Sequence, residues 1–433
     1  MKSRYIDSLL KFMDSSPCNF LAVDTMKQML VDKGFKERKL TEKITAKAGE
    51  KFFFTKNDSA IFAVRVGKKP IKDTGYKIVA AHSDSPCFRI KPHAEMRCDG
   101  GIVKLNTEVY GGPILYTWFD RPLSIAGRVI LKGTTPLEVV SRNIKIDRPL
   151  MQISHLAIHF NRAVNDGNAL SKQKDMLPII AKVNRDFETN NMLVNLVAQE
   201  LGVAIEDILD FDLLLYDTTP ACTFGLNDEF LSSGRLDDLS MAHAAITAIT
   251  EATDNDGTCI AAIFDNEETG SGTKQGAGSP VLANVLQRMA ESQGCNYDDY
   301  CIALQKTFLI SADNAHAHHP NYSEKYDPTN HPTMGSGPCI KINANCKYMS
   351  DAHSAAIFKN LCDAAGSPCQ YFINHSDVAG GSTLGNILTG QIDIEGVDVG
   401  NPLLAMHSVR ETASCDDHVN MIKVFKTFFS LIC

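Results

Sequence analysis

The chain has 433 residues, 43 basic and 51 acidic, for a formal net charge of −8. That balance excludes an electrostatic nucleic-acid binder, which needs a concentrated basic face. With 44% apolar and 22% charged residues, whole-chain disorder is also excluded, and the length predicts two or three domains or one domain carrying an insertion.

Tyr5, Leu9, Leu10 and Met13 recur at helical spacing, and a second helix is expected from about Leu21 to Lys33, ending at Gly34. FFFTKN and SAIFAVRVG read as strands joined by a hairpin turn at Asn57 and Asp58. YKIVAAHSDSP is a short apolar run that stops abruptly in groups able to ligate a metal. From about 86 to 220 the character changes. Short β-rich segments (GIVKLNTEVY, ILYTWF, LSIAGRVIL) are broken by Gly and Pro. LMQISHLAIHFNRAVND follows, then a polar stretch, a helical stretch expected over 177–202, and FDLLLYD. Residues 86–220 are read as a β-rich inserted domain, and 1–85 with 221–433 as one discontinuous domain. Beyond 225, helix-like segments (LSMAHAAITAITEA, PVLANVLQRMAES, SAAIFKNLCDAAG) alternate with buried-looking strands (TCIAAIFDNEE, TFLISADNA, IEGVDVG). Such alternation predicts an α/β fold, a mixed and mainly parallel sheet sandwiched by helices.

No apolar run approaches the ~18 residues needed to span a bilayer, so no membrane partner is expected. The start, MKSRYIDSLLKFMDSSPCNF, lacks the apolar centre of a signal peptide. None of the 13 cysteines has C-x-x-C spacing. Reduced thiols and a cytoplasmic location are therefore expected.

In open α/β sheets, reactive groups sit just beyond the carboxyl ends of strands. Five apolar runs end in His or carboxylate groups: His82 and Asp84; Asp237 and Asp238, just before a helix; Glu267 and Glu268; Asp313, followed by His316, His318 and His319; and His407. Two divalent ions bound close together need this inventory of nitrogens and oxygens, with one carboxylate shared. His82 and Asp313 can hold one ion, Glu268 and His407 the other, and Asp237 can bridge. Glu267 is then left to take a proton from water, and Asp84 can orient the His82 ring. Taken singly, adjacent acids also suit a solvated surface or a helix N-cap. GSGTKQGAGS lacks P-loop spacing and does not support a nucleotide site.

HSDSP, GRLDDL, FDNEETGS, SADNAHAHHPNY, GSTLGNIL and LLAMHSVRE together resemble the aspartyl aminopeptidase family of zinc metallopeptidases, which includes vacuolar aminopeptidase I. The resemblance runs across essentially the whole chain. It implies a zinc exopeptidase fold with an inserted dimerisation domain, two zinc ions per subunit, and a tetrahedral homododecamer. It also implies His82, Asp237, Glu268, Asp313 and His407 as metal ligands, Glu267 as general base and Asp84 as the orienting aspartate. His155, or else His159, would approach a neighbouring subunit's active site. Lys341 and Tyr348 match positions lining the pocket of acidic-preferring members, and Tyr348 or His155 would help stabilise the oxyanion. Where those members read close to TPCGTTIGPIL, this chain reads SDVAGGSTLGNIL, so the pocket wall at Gly380, Gly381, Ser382 and Thr383 differs and a neutral first residue is admissible. The expected substrate is a short peptide with a free N-terminus. A deacylase or dipeptidase with the same ligand logic, and a catalytically silent metal-binding scaffold, are the rival readings.

Overall fold

The computed structural model of the chain describes residues 4–183, 191–253 and 256–432. It divides into two compact units. The first comprises Met1–Asp84, Ala221–Met406 and Glu411–Cys433; the second comprises Ser85–Pro220 and His407–Arg410.

A nine-stranded sheet organises the first unit. Its centre runs Thr258–Phe264, Tyr76–His82, Phe308–Ala312 and Glu395–Gly400, each parallel to the next. On one side lie Ala60–Arg65, Lys51–Lys56 and Lys36–Glu37; on the other, Cys339–Lys341 and Gln370–Phe372. Antiparallel pairings bring in Ala60–Arg65 and Cys339–Lys341, so the sheet is mixed and mainly parallel.

The central strands are largely apolar because both faces are covered, with Asp398 and Ser311 among the buried polar exceptions. Side chains alternate across a strand, so successive residues feed different cores. Val79, Ala81, Ile263, Ile310 and Val397 join a core with helices Arg4–Ser15, Asn19–Val31, Leu236–Glu251, Ala352–Ala365 and Cys415–Ser430. Ile78, Ala80, Ala262, Phe264 and Leu309 join the opposite core with helices Val281–Ser292, Tyr297–Gln305 and Leu384–Thr389. Local chemistry sets the ends. Asn57 and Asp58, both at positive φ, turn the first hairpin. Asp351 and Ser354 form a capping box that opens Ala352–Ala365, and Gly366 closes it in the left-handed region.

The second unit is built on six strands in the order Val139–Lys145, Leu123–Lys132, Ile208–Asp217, Cys87–Arg97, Ile102–Tyr110, Ile179–Lys182, every pairing antiparallel. Phe88, Trp118, Leu123, Ile125 and Leu213 form its core with helix Met192–Leu201.

Two local expectations change. The stretch 177–202 is not one helix: Ile179–Lys182 is a strand, helix begins only at Met192, and residues 184–190 lie outside the described residues. Pro178 removes a donor and disfavours helix before it, and the β-branched Ile179 and Ile180 suit an edge strand. ILYTWF is not a strand but a 3-10 turn at Leu115–Trp118, where Trp118 packs edge-on against Phe88. Among the described residues, no helix is long and apolar enough to cross a membrane. Twelve cysteines are free thiols, and Cys433 lies outside the described residues.

Candidate active site

The register of the parallel strands explains where reactive groups gather. His82 ends its strand opposite Phe264, and Ala312 pairs with Val399. The residues that follow these strands, Asp84, Glu267, Glu268 and Asp313, therefore leave the sheet together at the strands' carboxyl ends. Donor atoms of His82, Asp237, Asp238 and Asp313 all lie within 4.8 Å of one another, as do those of His82, Glu267 and Glu268. His82 Nε2 lies 3.8 Å from Asp237 and 4.0 Å from Glu267.

Backbone and side chains lock this cluster. Asp84 accepts the N–H groups of both Glu267 (3.1 Å) and Glu268 (3.2 Å). Its Oδ1 is 3.3 Å from His82 Nδ1, and its backbone oxygen is 3.1 Å from the same nitrogen. Asp237 and Asp238 are joined by a cis peptide. The helix Leu236–Glu251 has Arg235 at its N-cap with no side-chain cap, and both acids lie in its first turn at non-helical angles. Asp237 donates its N–H to Glu411 (3.0 Å). Asp238 accepts the His82 N–H (3.0 Å) and the Asn314 amide (3.1 Å). Asn314 also reaches the Leu236 carbonyl and Ser240. Asp238, Asn314 and Glu411 are thus supports of the site; sequence reasoning named Asp238 without a role and did not single out Asn314 or Glu411. The Asp-Asp doublet pointed to Asp238; nothing local pointed to Asn314 or Glu411.

Electrostatics follow from burial. Burial, then nearby Asp313, Asp84 and Asp237, pushes Glu267 up to about 8 against the opposing pull of His82. Burial also raises Asp238 and Asp313. Burial disfavours charge on His82, yet Asp238, Asp84 and Glu267 hold its pKa well above the ordinary value. So much buried carboxylate with so few cations favours bound positive charge. Imidazole nitrogen beside several carboxylate oxygens fits a divalent metal such as zinc.

Lys341 is buried, with Nζ 3.4 Å from Asp313 and 5.7 Å from the Tyr348 ring. It is therefore already ion-paired. Gly381 and Ser382 are exposed, and Ser382 bonds Asn386 at 2.8 Å. In the second unit, His407 Nδ1 lies 3.1 Å from the Gly112 carbonyl. His155 in that unit is half-buried, its ring tilted against Phe119 with centroids 4.4 Å apart and its backbone N–H on Asp120. His159 is exposed on a 3-10 turn.

The family model for aminopeptidase I zinc metalloproteases (M18) matches residues 12–429. A Clostridium novyi (strain NT) protein named "Probable M18 family aminopeptidase 2" is 49% identical over 430 residues, covering 99% of both chains. The solved Ape4 and Nbr1 complex contains a chain that superposes with a TM-score of 0.94 at 34% identity, covering 98% of this chain and 85% of that one. The crystal structure of prApe1 gives 0.91 at 26% identity, covering 98% and 94%. This chain belongs to the M18 family of zinc metallo-aminopeptidases, a family of hydrolases.

Proposed function

We propose that the protein removes the N-terminal residue from short peptides, with His82, Asp237, Glu268, Asp313 and His407 holding two divalent ions, zinc by family, and Glu267 as general base. The observation that carries this is the convergence of Asp237, Asp313, Glu267 and Glu268 around His82, from four separated motifs, past the carboxyl ends of the central strands. Bound ions would acidify water and polarise the scissile carbonyl. Glu267, held by Asp84 through its backbone, accepts the proton of the attacking water and delivers it to the leaving amine. Asp84 also fixes the ring of His82. Tyr348, or His155 of a neighbouring subunit, donates to the developing oxyanion. The substrate's free α-amine meets the surrounding carboxylates, which makes the reaction exopeptidic.

Lys341 with Gly381 and Ser382 would border the first residue's side chain. An acidic side chain would share Lys341 with Asp313 through a charge-assisted bond. Assembly is read as a tetrahedral homododecamer. In support, Leu156 (57% exposed), Ile158 (49%) and Phe160 (81%) present apolar surface beside His155. Free thiols support a cytoplasmic setting. The test is a zinc-replete assay of free against N-acetylated aminoacyl peptides. Cleavage of free-amine substrates alone is expected; preference for acetylated ones would point to a deacylase, and inertness across a broad panel to a scaffold.

A further inference from the structure

Asp398 lies on the strand Glu395–Gly400, has no measurable exposure, and is used by none of the chemistry above. One oxygen accepts the Met349 N–H at 2.6 Å and the other accepts the Thr383 hydroxyl at 2.6 Å. Its own N–H donates to Ser350 Oγ at 2.8 Å. These partners come from two loops. One follows the strand Cys339–Lys341 and carries Tyr348; the other follows Gln370–Phe372 and carries Gly381, Ser382 and Thr383. A third contact seats the start of the next helix. A Cβ added at Gly385 would stand 2.5 Å from both Asp398 oxygens, so only glycine permits the approach. The loops also meet at Gly380, where a Cβ would lie 2.8 Å from Asn374 and 3.0 Å from Asn343.

We propose that Asp398 is a positioning residue of the first-residue pocket: its carboxylate clasps the Tyr348 loop to the Gly381–Thr383 loop and so fixes how Lys341, Tyr348, Gly381 and Ser382 face one another. This rests on the peptidase reading given above. Asp398 sits in the sheet, its carboxylate bonds run to loop backbone and hydroxyl, and its charge also acts on Lys341, so its loss should relax the pocket while the bonds that hold His82 to Asp84 and Asp238 remain. Substrate binding should weaken more than the chemical step.

The test compares Asp398→Asn, Thr383→Val and Thr383→Ser with wild type, using an aminoacyl reporter and peptide-level hydrogen exchange over both loops. Loss of a charge-assisted buried hydrogen bond predicts a KM rise of about tenfold in the first two, with kcat reduced less than about threefold. Exchange should quicken in both loops together, and Thr383→Ser, which keeps the hydroxyl, should restore KM. Bound zinc per chain should match wild type. An unchanged KM, a fall confined to kcat, or faster exchange in one loop alone overturns the clasp. Exchange does not depend on turnover. An inactive wild-type protein would therefore count against the peptidase reading, while the exchange pattern would still decide the role of Asp398.

Discussion

Asp84 accepts the backbone N–H of Glu267 at 3.1 Å, across 183 positions of sequence. The same carboxylate faces His82 Nδ1 at 3.3 Å. One side chain therefore sets both the proposed base and a proposed ligand. Asp84→Asn puts an amide among groups that need an acceptor. It should lower zinc affinity and kcat/KM each by about 10–100-fold. Metal titration and steady-state kinetics on the same preparation check this, and unchanged values for both would remove Asp84 from the site.

Glu267→Gln keeps the shape but cannot take a proton. Activity should fall by about 10²–10⁴-fold while bound zinc stays at the wild-type level. Elemental analysis beside the rate separates a lost base from a lost metal. Full activity would reassign the base.

Much of this arrangement was legible in the sequence because strand ends announce themselves: apolar runs stop at His82, Glu267 and Asp313. The α/β alternation was legible for the same reason. What stayed hidden depends on contacts across the chain. Asp238 meets His82 over 156 positions, and Asn314 meets Asp238 over 76. Asp398 sits in the buried-looking strand IEGVDVG together with Glu395, but its partners lie in loops whose paths no local pattern defines. In the second unit the apolar pattern of 177–202 could not separate a short edge strand from a helix, and a 3-10 turn of aromatic residues mimicked a strand. Lys341 read as a substrate group on its own; only the fold shows that it already pairs with Asp313.

That pairing makes Lys341→Met informative. If Lys341 meets an acidic side chain, kcat/KM for Asp and Glu reporters should fall by about tenfold or more relative to Leu. An equal loss over Asp, Glu, Leu, Ala and Lys reporters would make it a counter-charge for Asp313 alone.

His243 and His418 lie buried side by side, with ring nitrogens 3.0 Å apart, between the helices Leu236–Glu251 and Cys415–Ser430. Burial lowers His418 from 6.5 to about 3, and burial with the charge of His418 lowers His243. At His418 the folded chain binds fewer protons than the unfolded chain between pH 6.5 and about 3, and at His243 it does so below pH 6.5, so these two groups make stability fall as pH drops through that range. The slope is at most about 1.4 kcal/mol per pH unit for each proton. Asp417, pushed by burial from 3.8 to about 6, opposes them within 3.8–6. His418→Gln should therefore flatten the acid side of the stability profile measured by urea unfolding. An acid limb identical to wild type would show that the pair does not set it.

The most direct measurement is an anomalous-difference map at the zinc edge from crystals grown with zinc. Two adjacent peaks are predicted, one against His82 and Asp313, the other against Glu268 and His407, with Asp237 touching both. A single peak, or an Asp237 that reaches neither ion, would contradict a paired-metal centre.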